Sequence, residues 1–552
     1  MFVSTRAVAY FVYILMVTCA FSGAGHEDLT CPTWMYRSVN GSSQCVCGVD
    51  LHKAILCNSS SRQIKVRRFY MITFDPAQNE TIAGYSFYSN PILTKKPFQV
   101  YYSVPSDASQ INSVMCDPLN RSGLFCGSCK EGYSPLVYSY KLSCANCSGA
   151  GAVRMSLTFV AFAFIPVTFF YIFVLLFKFN ANSPSLQGFV LMAQLISQTY
   201  STKNLLIDAN FSNKLSLDVV LTLQTLYSIW NLNFFRAFGP DICFSVTSLT
   251  VLSLEYVAAF YPMFLILITY IATELHSRGF RIILLIWRPF QHCSMYFRKE
   301  WNMKSSLVNV FATFLLLSYN RLLDISFSLL MYVTAYNLRG EAVGRYLYYD
   351  STKEFFGKGH RPFGIVAIFV LVNFNFVPFL LLLLYPMKWF QKCLNFFKLS
   401  HFALHTFVDS FAGCYKDGTE PGTQDCRYFA AFFFLLRFSN YLVIMFTYDD
   451  HVIIVFLIVC ACFSIVFLSA QPYKSKFSHH NTTMMIFFMM CIIFLCCCYG
   501  YNYLLLTRVE SLSSLIIFIL VLASLPHAYI VFLVLKWLYV RLPWRRLPLV
   551  LS

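Results

Sequence analysis

The chain changes character near Gly149, and this change constrains its fold more than any single motif. Before Gly149 the sequence is rich in cysteines and in Asn-x-Ser/Thr sequons. After it, apolar runs of roughly 20 residues, the length that an α-helix needs to cross a bilayer, follow one another almost to the C-terminus. We therefore predict an all-α polytopic membrane bundle of about nine transmembrane helices, preceded by a small disulfide-rich ectodomain that contains β-strands.

The composition excludes a soluble protein. Hydrophobic residues make up 57% of the chain and charged residues 12%, about half of the roughly 25% that is typical of soluble domains. A soluble fold of this composition would expose very large apolar patches. The net charge of +17 does not indicate nucleic-acid binding, because the cations concentrate in loops between apolar runs, where the positive-inside rule places them.

The first 25 residues have the layout of a secretory signal peptide. Arg6 precedes the apolar run Ala7–Ala20, and small residues follow it, as in a cleavable leader. A first transmembrane helix is the alternative. The predicted organisation is a signal peptide (1–25), an extracellular glycosylated cysteine-rich domain (26–150), a multi-pass membrane domain (151–540) and a basic cytosolic tail (541–552).

Five sequons crowd the predicted extracellular domain, and none has proline at its middle position. Such triplets accept N-glycans in the secretory pathway. We predict glycosylation there and at a sixth sequon farther along the chain, at Asn40, Asn58, Asn79, Asn120, Asn146 and Asn210. The sequon at Asn481 falls on the predicted cytosolic side, so we attribute it to chance.

The same region holds nine cysteines, and the predicted partner of the odd one lies in a later loop. The spacing of Cys126 to Cys129 and of Cys144 to Cys147 is typical of a zinc ribbon. In the secretory pathway disulfides are the expected use of cysteine, so zinc is the alternative. A free ninth cysteine is an equal alternative to a bridge with the later loop. The disulfide candidates are Cys31, Cys45, Cys47, Cys57, Cys116, Cys126, Cys129, Cys144, Cys147 and Cys243.

β-Branched and aromatic residues alternate over residues 63–74 and 98–104. This pattern predicts strands. A domain of this size depends on its disulfides for stability.

Eight apolar runs are clear spans, and the position of one further span is ambiguous. It is either Leu186–Tyr200, which is short for a crossing, or Leu215–Phe235. Glycosylation of Asn210 requires that site outside, which favours Leu186–Tyr200 and leaves Leu215–Phe235 as an amphipathic helix in the interface. The clear spans are Met155–Phe177, Val246–Leu275, Leu307–Ala335, Phe363–Met387, Tyr428–Tyr448, Val452–Ala470, Met484–Leu506 and Leu515–Tyr539.

The distribution of Lys and Arg predicts the orientation. The loop His276–Lys304, the loop after Met387, the 471–476 turn and the C-terminal tail are all basic, and cytosolic loops carry such an excess. Nine spans with the N-terminus outside and the C-terminus inside place all four in the cytosol. We expect the protein in the plasma membrane, reached by the secretory pathway.

Four charged residues fall within predicted spans. Arg321 and Asp324 lie at i and i+3 on one helix face and can pair, whereas Glu255 and Arg437 lie in the third and sixth spans. A charge at the bilayer centre costs about 2.5–3.5 kcal/mol on insertion scales, so retained charges usually face the bundle interior or a water path. We interpret these charges either as a gating or permeation element or as an interhelical clamp. A Glu255–Arg321 or an Arg437–Asp324 contact would neutralise them.

No catalytic constellation, P-loop or dinucleotide-binding pattern occurs in the sequence. We therefore predict no enzymatic activity, no cofactor and no metal. The most distinctive loop runs from Asp409 to Tyr428; it is polar, rich in turn residues and directly precedes a span. It is either a coupling loop or a plain solvated connector, and its Cys414 and Cys426 are expected to be reduced.

This loop, the turn Gln471–Lys474 and the stretch Glu255–Pro262 resemble a group of uncharacterised invertebrate multi-pass membrane proteins with cysteine-rich ectodomains, over most of residues 116–480. The order of signal peptide, luminal domain and about nine spans is similar, in layout only, to the TRP-like membrane proteins of fungi. That layout implies cation conductance or lipid handling. Neither resemblance assigns a role to a residue of this chain.

These features predict a cell-surface channel or transporter with a ligand-sensing ectodomain. The alternative is a non-conducting receptor or adhesion protein that signals through its basic cytosolic loops. The expected partners are the lipid bilayer, an extracellular ligand and further copies of the chain in a homo-oligomer. No nucleic acid is expected, because the basic residues follow the positive-inside pattern.

An epitope tag inserted into His276–Lys304 should stay unlabelled on intact cells and become labelled after permeabilisation, because this basic loop is predicted to be cytosolic. A tag directly after residue 25 is the matched control and should be labelled on intact cells. Labelling of the loop tag without permeabilisation would contradict the orientation.

Overall fold

The computed structural model is mostly helical, with a few small sheets. It describes residues 36–37, 45–46, 55–58, 63–67, 70–75, 80–85, 101–104, 116, 120–135, 144–146, 152–177, 179–181, 183–202, 225–234, 248–280, 303–337, 342–347, 350–396, 402–446, 450–506 and 513–541. The signal peptide, residues 542–552 and several predicted sites lie outside these ranges, namely Asn40, Asn79, Asn210, Cys31, Cys47, Cys147 and Cys243. Cys45, Cys57 and Asn58 are described in their backbone only.

Helices occupy the predicted spans. They are α1 (Ala152–Ala163), α2 (Ile165–Phe177), α3 (Pro184–Thr202), α4 (Ser248–Ser277), α5 (Met303–Leu330), α6 (Arg361–Val370), α7 (Val377–Leu384), α8 (Lys388–Phe396), α9 (Phe402–Ala412), α10 (Phe429–Phe446), α11 (Asp450–Ala470), α12 (His479–Leu506) and α13 (Ser513–Arg541). A π-helical turn, Leu371–Phe376, joins α6 to α7. It directly precedes Pro378, which cannot donate a backbone hydrogen bond.

Five helical stretches of the described chain are long and apolar enough to cross a membrane. They are Ser156–Phe177, Leu249–Ser277, Ser305–Leu330, Arg361–Leu384 and His479–Cys497. Three shorter apolar stretches accompany them, namely Phe429–Leu442, Leu457–Ala470 and Val521–Leu533. The chain thus has the helices of a membrane protein.

Two predicted span boundaries are wrong. The span predicted as Leu307–Ala335 ends at Leu330, because Tyr332–Asn337 is a β-strand; an apolar strand and the end of an apolar helix have similar hydropathy. The span predicted to end at Met387 ends at Leu384. The chain turns at Pro386, and Lys388–Phe396 forms a separate helix.

The strands form small antiparallel sheets, and one sheet combines distant parts of the chain. Its strands, in order, are β14 (Asp350–Glu354), β13 (Ala342–Leu347), β12 (Tyr332–Asn337), β6 (Glu80–Tyr85) and β5 (Tyr70–Asp75). Strand β12 pairs with β6 through Tyr336 opposite Ala83 and Asn337 opposite Ile82. We call the end of the bundle next to this sheet the sheet end. The strands are β1 (Tyr36–Arg37), β2 (Cys45–Val46), β3 (Ile55–Asn58), β4 (Gln63–Arg67), β5 (Tyr70–Asp75), β6 (Glu80–Tyr85), β7 (Tyr101–Val104), β8 (Arg121–Ser122), β9 (Ser128–Cys129), β10 (Tyr133–Pro135), β11 (Cys144–Asn146), β12 (Tyr332–Asn337), β13 (Ala342–Leu347) and β14 (Asp350–Glu354).

Two disulfides staple the segment before the first helix. Cys116 is joined to Cys126, and Cys129 is joined to Cys144. The two cysteines of the Cys126–Cys129 motif therefore belong to different bridges, and neither has a thiolate with which to bind zinc. Gly132 has φ +81° in the turn before β10, a conformation that favours glycine.

Helix α3 is the central helix of the bundle. All of its residues from Gln187 to Gln198 are buried, which explains why a helix with glutamine and serine side chains can stand among apolar neighbours. Gly188 allows α12 to approach closely, since a Cβ there would lie 2.7 Å from Phe487 and 2.8 Å from Met484. Small residues serve the same purpose at many helix contacts in membranes.

His360 ties the sheet end together. Its Nδ1 accepts the N–H of Phe356 at 3.0 Å, and its Nε2 lies 2.7 Å from the carbonyl oxygen of Leu329 near the end of α5. Both bonds form together only in the neutral ring with its proton on Nε2. Burial lowers the pKa of His360, and the bond to Leu329 partly opposes this.

The His360 junction should weaken in acid. Because folding lowers the pKa of His360, this histidine stabilises the folded state at pH values above its unfolded pKa of about 6.5. That stabilisation is lost as the pH falls through the folded pKa. We expect the apparent Tm of the wild type to exceed that of His360→Phe at pH 7.5 and the gap to narrow at pH 5.5. His405→Phe, at a mostly exposed histidine of α9, is the control. A gap that is the same at both pH values would contradict the assignment.

Candidate functional site

Two glutamines of α3 hold the centre of the bundle to α5. Gln194 Nε2 donates to the carbonyl of Leu316 at 2.9 Å, and Gln198 Nε2 donates to Asn320 Oδ1 at 3.0 Å. Asn320 Nδ2 in turn donates to the Gln194 carbonyl at 3.0 Å. Because a buried amide without a partner is costly, these reciprocal bonds fix the register of the two helices.

The same two glutamines use their oxygens to hold α10. Arg437 Nε donates to Gln194 Oε1 at 2.5 Å, and Asn440 Nδ2 donates to Gln198 Oε1 at 2.8 Å. Each glutamine therefore bridges α5 through its nitrogen and α10 through its oxygen. We call Gln194, Gln198, Asn320, Arg437 and Asn440, all buried, the amide ladder.

Arg437 is held by neutral groups. Besides Gln194, its Nη1 donates to the Phe433 carbonyl at 3.1 Å, and its guanidinium lies 5.7 Å from the ring centroid of Phe434. Its side chain is only 1% exposed. The Arg437–Asp324 contact considered from the sequence does not occur, because Arg437 is already engaged by the ladder.

The segment of residues 225–234 enters the bundle. Tyr227 and Leu232 are buried, Tyr227 OH donates to the Ala523 carbonyl of α13, and Asn231 Nδ2 donates to Ser197 Oγ of α3 at 2.6 Å. This part of Leu215–Phe235 therefore packs among the bundle helices, and its interfacial position stays a prediction. Polar backbone at such a place needs partners within the protein.

Arg321 supplies one of these partners. The helical turn of residues 225–229 ends with Asn233 N–H bonded to the Ser228 carbonyl and Leu232 N–H bonded to the Ile229 carbonyl, the pattern of a Schellman cap. Leu232 occupies the left-handed position at φ 54°, which a non-glycine residue adopts only with strain. Arg321 Nη1 donates to the carbonyl of Leu232 at 3.1 Å and so helps to fix this turn.

Asp324 lies one turn beyond Arg321 on α5. Its Oδ1 accepts the hydroxyl of Tyr441 at 2.5 Å. A small cavity opens beside these groups, and every side chain that lines it within the described part of the chain is polar. They come from α3, the 225–234 segment, α5 and α10: Ser197, Gln198, Ser228, Asn231, Asn233, Asn320, Arg321, Asp324 and Tyr441.

The four predicted intramembrane charges thus separate into different environments. Arg321 and Asp324 line the polar cavity, Arg437 is locked inside the amide ladder, and Glu255 is half-buried on α4 and does not line the cavity. Arg321 lies about 14 Å from the sheet end of α5, at 1.5 Å per residue. The cavity is therefore nearer to the sheet end than to the opposite end.

The opposite end of the bundle is closed by two tyrosines. The rings of Tyr415 and Tyr473 stack with centroids 5.1 Å apart, both are fully buried, and both hydroxyls donate to Gln187 Oε1 of α3, at 2.8 and 2.9 Å. Backbone bonds from Lys416 to Pro472 and from Lys474 to Cys414 flank them. We call this arrangement the tyrosine clasp. The Asp409–Tyr428 loop is therefore not a plain solvated connector.

Charged and polar groups surround the clasp. Lys474 Nζ donates to Asp417 Oδ2 at 2.9 Å, and hydrogen bonds from Thr419 and Lys474 lower the pKa of Asp417. Burial raises the pKa of Tyr415 and Tyr473 well above the usual value, so both stay protonated donors. Cys414 and Cys426 are free, and burial raises the pKa of Cys414 to about 12.

Three sequons are described with side chains. Asn146 is exposed and Asn120 is half-buried. Asn481 is 8% exposed, and its Oδ1 accepts the N–H of Tyr473 at 3.5 Å. The attribution of the Asn481 sequon to chance agrees with this buried position.

The ranges described contain no cluster of three or more His, Cys, Asp or Glu side chains that could hold a metal ion. The amide ladder was not predicted from the sequence, because four of its five side chains are uncharged. Its signal was the pair Gln194 and Gln198, spaced i, i+4 on one face of an otherwise apolar helix.

Comparison with known proteins adds no family to this description. No family model, no curated protein and no solved structure matches the chain. The function must therefore be argued from the geometry of the bundle.

Loss of Arg437 should destabilise the bundle. Arg437→Met leaves Gln194 Oε1 without its donor and removes the side-chain bond to the Phe433 carbonyl, and a hydrogen bond to a charged group contributes about 1.5–3 kcal/mol. The measurement is the apparent Tm of the detergent-purified protein. Arg278→Met is the matched control, because Arg278 pairs with Glu274 in an exposed bridge of the kind that contributes about 0–1 kcal/mol. Equal losses in the two variants would contradict the ladder.

Proposed function

We propose that the chain is a nine-span cell-surface protein of the channel or transporter kind, with a TRP-like layout and a ligand-sensing N-terminal domain. The observation that carries this proposal is the cavity whose described lining side chains, including Arg321 and Asp324, are all polar. Polar surface and irregular backbone at membrane depth are tolerated where they line a water-filled space. The cavity would be one part of a hydrated path for ions or small polar solutes.

The separation of the four charges favours a path over a clamp. A clamp needs charges that hold helices together, and the amide ladder already does this through Arg437 and neutral amides. Arg321 and Asp324 bond to Leu232 and Tyr441, but unlike Arg437 they also lie at the cavity wall, where one positive and one negative group can influence which ions enter. Their retention at such a position is costly unless water or partners reach them.

The proposed count of nine crossings adds α3 to the eight apolar stretches. Its sequence is not apolar enough to stand in lipid, but a helix that is buried on all sides has no lipid-facing surface. Pairing of β12 with β6 supports an orientation with the sheet end and the N-terminal domain on the extracellular side. The tyrosine clasp and the basic loops then lie in the cytosol. A cleaved signal peptide and N-glycans at the exposed sequons belong to the same proposal.

The sheet offers a route from the N-terminal domain to the cavity. α5 ends at Leu330, and β12 begins at Tyr332, so the helix that carries Arg321 and Asp324 continues almost directly into a strand that pairs with β6. Movement of the N-terminal domain would shift α5 along its axis or rotate it. Such a rigid connection is how a small shift at one site reaches another.

Neutralising the two cavity charges should shift ion selectivity in opposite directions. In whole-cell recordings with asymmetric NaCl, Arg321→Gln should move the reversal potential toward higher cation permeability and Asp324→Asn toward lower, because each removes one sign of charge from the wall. Both variants keep a polar side chain. Ser318→Ala, a buried residue of α5 away from the cavity, is the control and should not shift it.

Reversal potentials that shift in the same direction in both variants, or no shift in variants that reach the cell surface, would contradict the proposed hydrated path. Absence of current or flux from the wild type under all stimuli would favour the second candidate, a non-conducting receptor or adhesion protein. The direct link between β6, β12 and α5 favours a receptor over a passive anchor. Loss of surface delivery in both variants would support a structural clamp.

A further inference from the structure

Helix α8, Lys388–Phe396, stands apart from the other helices of the described chain. It has no buried residue, and it follows α7 after the turn at Pro386. Its apolar and polar residues are segregated around the helix more completely than in α1 or α6. Helices of this kind lie in the plane of a membrane surface.

Two adjacent stripes run along its outer side. Trp389, Cys393 and Phe396 are exposed and spaced i, i+4, i+7, and Trp389 and Phe396 are 59% and 81% exposed. Beside this apolar stripe lies a polar one with the same spacing, formed by the exposed residues Lys388, Lys392 and Asn395. The two stripes together present an apolar surface bordered by positive charge.

The inner side of α8 is held by the protein. Gln391 Nε2 donates to the carbonyl of Tyr385 at 3.1 Å, and Gln391 N–H bonds to the Met387 carbonyl. Phe390 and Leu394 on this side are half-buried. Phe390 and Leu394 therefore face the protein, and the apolar stripe faces outward.

We propose that the outer side of α8 docks onto the anionic headgroup layer of the bilayer, with Trp389, Cys393 and Phe396 among the upper acyl chains and Lys388 and Lys392 on lipid phosphates and carboxylates. Two observations select lipid as the partner. The crossing that leads into α8 has a lipid-type surface, since α6, α7 and the π-helical turn expose Phe369, Val372, Phe376 and Val377. The lysines match negative headgroups, which attract basic segments next to a span.

This docking is independent of conduction. It fixes the chain where it leaves the Arg361–Leu384 crossing and enters α9 and the tyrosine clasp. The clasp end would then sense the charge of the adjacent leaflet. Cytosolic leaflets are the anionic ones in cells, which agrees with the proposed orientation.

The test uses Trp389 as its own probe, in full-length protein in nanodiscs with brominated lipids. The Trp389 signal is the emission of the wild type minus that of Trp389→Phe. We expect bromine near the headgroups to quench this signal, since tryptophan favours that layer. Quenching should be about twofold stronger with phosphatidylserine than with phosphatidylcholine alone, because Lys388 and Lys392 are attracted to negative headgroups. Lys388→Gln/Lys392→Gln should remove the dependence on phosphatidylserine.

The matched control moves the probe to the polar stripe. In Trp389→Phe/Asn395→Trp the new tryptophan should be quenched more strongly by aqueous iodide, and more weakly by brominated lipid, than Trp389 is. The proposal is overturned if Trp389 is quenched by iodide as strongly as this control, or if its signal is indifferent to phosphatidylserine. Shielding of Trp389 from both quenchers would also overturn it, because a protein partner or a second copy would then cover the stripe.

Discussion

A buried amide inside a bilayer has no water to bind, so each polar group of a central helix must find its partner in a neighbouring helix. The rest of the bundle depends on this constraint at Gln194 and Gln198. Each uses its nitrogen toward α5 and its oxygen toward α10. A helix with these side chains can be central only where both neighbours offer complementary groups, so the amide ladder determines which three helices meet and in what register.

The amide ladder and two further contacts fix the bundle at its centre and at both ends, and a polar cavity lies between them. At one end Gln187 accepts the hydroxyls of the tyrosine clasp, and at the other His360 joins the end of α5 to the loop after β14. Between them lies the cavity, beside a left-handed Leu232 and the Arg321 and Asp324 side chains. A bundle whose two ends are fixed and whose middle is polar and strained can rearrange locally while the contacts at its ends persist.

Much of the helical architecture could be predicted from the sequence, because apolar runs of bilayer length are a strong signal. The sheet could not be predicted, since Met331–Ala335 has the hydropathy of a helix end and its partner strand Glu80–Tyr85 lies far away in the chain. Within the site, Arg321 and Asp324 stood out as charges. The uncharged amides that bind Arg437 did not stand out. Hydropathy alone could not identify α3 as a span, because a hydropathy scale assumes that every span faces lipid.

Hydration of the cavity is tested most directly by the reactivity of introduced cysteines toward a charged, membrane-impermeant thiol reagent. Ser197→Cys and Ser228→Cys would line the cavity, whereas Ser318→Cys would be equally buried on α5 but away from it. In nanodiscs, the two cavity cysteines should react faster than the third by on the order of tenfold, since reactivity follows access to water. Equally slow reaction at all three positions would contradict a hydrated cavity and, with it, the proposed path.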